Sequence, residues 1–367
     1  MEDMRVPLSD LIVDRAMRKV MSLWRDMESD RLEEFFLGVY EALHDAGKIH
    51  VIDADISPLR KVVGIDGGYA LYKMFGGGVG VYATIAAVFE DGMVIPRAIR
   101  YGADAFMGER DEKLFQVREY TQELETILDV VNDMGDVPLF VDGSLSSSMG
   151  HLHTFGKVNS KEISDMVRAV EDVLNAVNIE GRQISFVPKR MVKTIAFEDA
   201  DVKDALEKKG LLSSRYMNLA EPLTVGYAML KKRAQWRQKK DRRALMPMVA
   251  GPFSLVIDLD MKGIRVFDTM NTYYINLWQW RHSVLRVDVG NSRDITFIKE
   301  MVLPALDLAP RVACIMAADE YAKSVVSSAI NNFLDTLRSS PQFSDILKIL
   351  PDYRGEGSMD HSVFFGE

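Results

Sequence analysis

The sequence predicts an α/β fold: a mixed sheet flanked by helices, with a helical arm ahead of it and inserted strands within it. Three observations predict it. Apolar runs suited to strands alternate with segments of helical periodicity. The first three strand candidates follow one another at hairpin spacing, whereas later ones are separated by helices. Two strand candidates, 61–66 and 138–142, also end alike, in Ile65-Asp66-Gly67-Gly68 and Val141-Asp142-Gly143-Ser144.

Residues 9–47 carry the three-and-four spacing of amphipathic helix (Leu11, Ala16, Val20, Leu23, then Phe35, Phe36, Val39, Leu43), with Gly47 placed as a C-terminal cap. This stretch reads as an accessory arm for packing or dimer contact. An antiparallel meander follows: 61–66, 81–89 and 93–100, with Glu90-Asp91-Gly92 as the second turn. The glycine cluster 76–80 lacks the Gly-Lys-Ser/Thr ending of a phosphate loop and reads as a flexible turn. Residues 109–132 form the clearest helix (Leu114, Val117, Tyr120, Leu124, Ile127, Leu128, Val131). Then come the second Asp strand, a helix near 160–178, a short strand at 184–187 and a helix at 199–209. Leu223–Leu230 reads as extended. Strands are expected at 253–259, 263–267 and 284–289, the last with Arg286 and Asp288 alternating on one face. A short helix at 293–307 and a long one at 313–337 complete the core. The expected domains are an arm (1–58), a core (59–338) with an insert at 195–282, and a tail (339–367).

Composition narrows the function classes. A chain of 367 residues, 47% hydrophobic and 27% charged, has the balance of a globular protein. No apolar run reaches membrane-spanning length, and the first residues lack a signal-peptide apolar core, so a cytoplasmic location is expected. The single cysteine, Cys314, excludes an internal disulfide and a cysteine-based metal cluster. A net charge of −9 argues against a protein that coats nucleic acid over its whole surface, but not against a local basic groove. Lys231–Arg243 is such a cluster. Lys231, Lys232, Arg233 and Arg237 suit phosphates and Trp236 suits a base, with Lys193 adding charge nearby. A solvated helix face is the plainer alternative.

Strand interiors disfavour Asp, and a carboxylate at a core edge calls for a partner such as a cation. Two strands ending in Asp66 and Asp142 therefore suggest a shared divalent metal, although each taken singly is also an ordinary Asp-Gly turn. The element order is that of the ribonuclease-H-like fold, in which these two strands lie adjacent and parallel and ligands bind at their C-terminal ends. Further carboxylates are expected from the helix between them and from the last helix. With Tyr120 as the core-facing reference at about 100° per residue, Glu109 points inward, Glu123 borders the core, Glu119 lies further round and Glu125 faces water. The last helix offers Asp319 and Glu320. Three or four carboxylates around Mg²⁺ or Mn²⁺ suit phosphodiester hydrolysis. His151 and His153 form a minor metal candidate.

Ile65-Asp-Gly-Gly68, Val141-Asp-Gly-Ser-Leu145, Lys193-Thr194, Arg286-Val-Asp288 and Ala317-Ala-Asp-Glu-Tyr-Ala322 resemble the NurA nuclease family over roughly 60–335. The resemblance implies a ribonuclease-H-like core, a homodimer, Mn²⁺-dependent DNA cleavage, and partnership with the hexameric HerA translocase in DNA end resection. It implies Asp66 and Asp142 as metal ligands, Glu119 as the helix carboxylate with Glu123 as alternate, and Asp319 where the family usually has Ala-His. Gly68 stands where the family often has Ser. Sugar kinases and actin-like ATPases share the core, but their late glycine-rich adenosine motif is missing here. A non-catalytic scaffold for a motor ATPase is a third alternative.

Overall fold

The computed structural model describes residues 30–53, 59–74, 77–145, 161–179, 181–188, 195–261, 264–277, 284–306 and 312–340. Their principal helices are α1 (Asp30–Asp45), α2 (Glu109–Met134), α3 (Lys161–Asn178), α4 (Ala200–Lys208), α5 (Glu221–Gln238) and α6 (Ala313–Ser339). Their strands are β1 (Ile49–Val51), β2 (Lys61–Met74), β3 (Gly77–Glu90), β4 (Met93–Phe106), β5 (Leu139–Asp142), β6 (Ile184–Val187), β7 (Met248–Met261), β8 (Ile264–Asn276) and β9 (Leu285–Gly290). The chain divides into two compact units. One comprises Met1–Val51, Val192–Ala250 and Tyr274–Val284; the other comprises Ile52–Met191, Gly251–Tyr273 and Leu285–Glu367.

The second unit is built on strands in the order β7-β8-β9-β6-β5-β2-β3-β4. β2, β3 and β4 form the expected antiparallel meander. β5 lies parallel to β2, β6 parallel to β5, and β9 antiparallel to β6. β5 and β6 are buried along almost their whole length and mostly apolar, as fits strands covered on both faces. The first strand does not stop at Asp66. It runs on to Met74, with Gly67 and Gly68 paired to Thr84 and Ala83. The glycines answer to close packing rather than to a strand end. A Cβ on Gly64 would overlap the carbonyl of Cys314 in α6, and one on Gly68 would meet Ala322. Gly77, Gly78 and Gly80 likewise lie within β3, not in a turn; a Cβ would meet the Phe106 carbonyl at Gly77, the Phe106 ring at Gly78 and the Phe115 ring at Gly80. The expected 293–307 helix is a run of short helical pieces between Ile295 and Ala305.

Successive strand residues point to opposite faces. Gly64, Gly68 and Ala70 of β2 face α6, and Ala70 joins Val81, Ala83, Val326 and Ile330 in a buried cluster. Gly67 faces α2. α6 therefore covers one face near β2 and α2 the other.

The first unit contains α1, α4 and α5, with β1 paired to the first three residues of β7. Phe36 of α1 stacks on Tyr227 of α5, and Tyr40 meets Trp236 edge-on. α1 accounts for the later part of the predicted 9–47 helix; the earlier part lies outside the described residues. Leu223–Leu230 is helical, not extended. Pro222 occupies the first turn, where its missing N–H costs nothing. Its buried side (Val225, Gly226, Ala228, Met229, Trp236) also carries Glu221, Thr224 and Arg233, so no clean apolar stripe marks it in the sequence.

Candidate active site

The β2–β5 register pairs Val63 with Leu139, Gly64 with Phe140 and Ile65 with Val141. The next step along both strands is Asp66 beside Asp142. Adjacent residues of parallel strands share a face, so both carboxylates point to the α6 side. Asp66 is 5% exposed and Asp142 is half-buried. α6 contacts β2 at Cys314 over Gly64 and at Ala322 over Gly68. Four strand residues rise about 13 Å and eight helical residues about 12 Å, so helix and strand stay in step. Ala318, fully buried, falls midway, level with Asp66. Small residues at 314, 318 and 322 let the helix approach closely. Asp319 adjoins that point, half-buried, and its Oδ2 accepts a 2.8 Å hydrogen bond from Lys323 Nζ.

The helix carboxylates arrive from the other face. A Cβ placed on Gly67 would lie 3.0 Å from Glu119 Oε1, 3.3 Å from Glu123 Oε2 and 3.5 Å from Thr84 Oγ1. Glu119 is 5% exposed, and burial pushes its pKa up to about 8. The buried Thr84 hydroxyl has no partner among the described residues. Glu123 is half-buried, and Glu125 turns away to pair with Arg100. The Glu109 side chain lies outside the described residues, as do His151, His153 and Lys193.

Thus the four expected ligands do not form one compact group. Asp66 and Asp142 share the α6 face with Asp319 nearby, and Glu119 and Glu123 share the α2 face. Among the described residues no three Asp, Glu, His or Cys side chains are gathered closely enough to hold an ion. In donor chemistry they fit a hard divalent cation: every candidate is a carboxylate oxygen, and an unsatisfied hydroxyl lies beside two of them. β5 ends at Asp142 while β2 continues, so the pairing on that side of β2 stops at Ile65.

The basic segment differs from expectation at two positions. Arg233 is 1% exposed, and its guanidinium donates to Ala244 O, Met246 O, Asn276 O and Asn276 Oδ1. Trp236 is buried against Tyr40, with the Arg243 guanidinium 4.9 Å from its ring centre. Neither is available to stack on a base or meet a phosphate. Both fill the interior of their unit, because a long cation near an apolar helix face buries its stem and finds carbonyls for its head. Lys231 pairs with Glu33, and Lys232 lies over the Tyr40 ring. Arg237, Lys239, Lys240 and Arg242 are exposed.

One buried network was not expected. Asp288 Oδ1 accepts from Arg286 Nε (2.8 Å) and Thr272 Oγ1 (2.7 Å); Oδ2 accepts from Arg286 Nη2 (2.8 Å) and Ser144 Oγ (3.0 Å). The Arg-x-Asp alternation in β9 was its sequence signal, but the partner in the Asp142 turn was not.

No family model and no curated protein matches the chain by sequence. Solved structures do match. The NurA nuclease from Sulfolobus solfataricus aligns with a TM-score of 0.54 at 12% identity, covering 88% of this chain and 97% of that one. A structure of NurA with manganese aligns at 0.46 and 6% identity, covering 84% and 94%. An endonuclease V from Ciona intestinalis in complex with DNA aligns at 0.32 and 9%, covering 82% and 99%. The latter two are too distant to carry an argument, and the first shows a shared fold alone. The chain has the α/β fold of the NurA nuclease, a ribonuclease-H-like mixed sheet flanked by helices.

Proposed function

We propose that the protein is a metal-dependent DNA nuclease that hydrolyses phosphodiester bonds. One observation carries the proposal: the strand register sets Asp66 beside Asp142 on the central parallel pair, where the neighbouring ladder stops and Glu119 and Glu123 approach Gly67 from the opposite face. Asp66 and Asp142 would hold the ion, Mn²⁺ or Mg²⁺, with Glu119 completing the set, Glu123 as its alternate and Asp319 reaching in from α6. When bound, such an ion activates water and stabilises the charge that builds on the phosphate. The chain's own residues do the rest. Gly67 leaves the space in which the two glutamates converge. Glu119, whose carboxyl burial holds protonated near neutral pH, would give up that proton if a cation bound beside it. Arg237, Lys239, Lys240 and Arg242 offer an exposed basic surface for the DNA backbone, with Lys193 expected to add to it.

The motif resemblance extends the proposal. By it the chain works as a homodimer beside a HerA-type hexameric ATPase, as a single-strand endonuclease and 5′–3′ exonuclease in end resection during double-strand-break repair; the cytoplasmic location is our reading of the sequence composition. The test is cleavage of end-labelled single-stranded DNA by the purified chain. Activity with Mn²⁺ that EDTA removes is expected; turnover of ATP without any DNA cleavage would instead favour the kinase-like alternative.

A further inference from the structure

We infer that Ser144, held by the buried Arg286–Asp288 pair, is a positioning residue for Asp142; the inference rests on the nuclease proposal above. Asp142 is the last residue of a four-residue strand, and the ladder ends just beyond it, at the Gly143 N–H. Gly143 follows with φ +99°, a conformation that favours glycine, and its N–H donates to Val187 O at 3.2 Å. That turn carries Ser144 across to Asp288. Phe186 pairs with Asp288 and Val187 with Asp142, so Asp288 lies on the sheet face opposite Asp142. The tether therefore holds the turn from behind, on the face opposite the carboxylate.

Both Asp288 oxygens receive two donors, and Arg286, Asp288 and Thr272 are essentially unexposed. A buried ion pair of this kind adds little net stability, since desolvation offsets the attraction, but it fixes geometry. Of its four donors only Ser144 belongs to the Asp142 turn. Leu145, buried just beyond, anchors the chain's far side, so the Ser144 hydrogen bond sets the turn's orientation between two fixed points.

The test compares Ser144→Ala with Thr272→Val in the full chain. Each removes one hydroxyl from Asp288, but only the first touches the Asp142 turn. In Ser144→Ala, amide exchange at 140–143 should rise about tenfold with other strands unchanged, since roughly one hydrogen bond is lost. Its Mn²⁺ dissociation constant, read by calorimetry, should rise by a similar factor, and kcat on single-stranded DNA should fall at unchanged KM. Thr272→Val should lower the melting temperature without any of these changes. The inference is overturned if Ser144→Ala matches wild type in exchange and Mn²⁺ affinity, or if Thr272→Val reproduces its effects. A wild-type chain that neither binds Mn²⁺ nor cleaves DNA overturns the nuclease proposal and the catalytic side of the inference, while exchange at 140–143 still decides the tether.

Discussion

Replacing Glu119 by Gln should make the ion-free protein insensitive to a pH change that weakens the wild type. Burial raises the Glu119 pKa from 4.5 to about 8. The folded state therefore binds a proton that the unfolded state has already lost across the interval between these values. The sign follows: the stabilisation is complete below the unfolded pKa, declines as pH rises, and is gone above the folded pKa. At about 1.36 kcal/mol per pKa unit, the full span is about 5 kcal/mol, of which about 4 lies between pH 5 and pH 9. Gln has the same shape and no charge, so the slope should vanish. Hydrogen exchange of β2 and β3 amides in EDTA, corrected for the intrinsic pH dependence of exchange, reads the opening free energy beside the group itself. Wild type should lose several kcal/mol of protection from pH 5 to pH 9 and Glu119→Gln should not. Equal slopes in the two proteins would refute the assignment of this carboxylate as a buried, unneutralised acid.

Other perturbations separate packing from chemistry. Gly64→Ala should cost about 3 kcal/mol or more, because its methyl meets α6 backbone rather than a movable side chain, whereas Gly68→Ala should cost under about 1; melting temperatures decide this. Glu221 accepts hydrogen bonds from the backbone N–H groups of Ile195, Ala196 and Phe197 and from the Tyr274 hydroxyl. Glu221→Ala leaves those donors buried and should cost about 3–5 kcal/mol by chemical denaturation followed by tryptophan fluorescence. Charge reversal at Arg237, Lys239 and Lys240 should weaken DNA binding and flatten its salt dependence by about one unit for each phosphate no longer neutralised. Arg233→Met should destabilise the protein and leave that slope unchanged.

The central pairing was legible because it needs only local signals. Two apolar runs ending in Asp-Gly, separated by two hairpin strands and one strong helix, imply neighbouring parallel strands, and the register brings Asp66 to Asp142. What misled were residues whose role is set by a neighbour distant in sequence. Gly67 and Gly68 resemble a strand end, yet they remain in the ladder so that α6 and the two glutamates can come close. Val117, Leu124, Ile127 and Val131 of the predicted stripe are buried, but Tyr120 is only half-buried and the buried side of α2 widens to take in Phe115 and Glu119. A buried Glu is invisible to a rule that seeks apolar stripes. α5 hid its helix because its buried side carries Glu221, Thr224 and Arg233 among the apolar residues, and Arg233 and Trp236 imitated a nucleic-acid surface because composition does not report which side of a helix faces water.

The most direct test is Mn²⁺-dependent cleavage of single-stranded DNA by wild type and by Asp66→Asn and Asp142→Asn, with folding of each checked by circular dichroism. Asn preserves shape and removes the charge that would hold the ion. Both variants should fold normally and lose at least about 100-fold in rate, as expected when a group required at the reacting centre is removed. Folded variants that cleave as fast as wild type would contradict the proposed site.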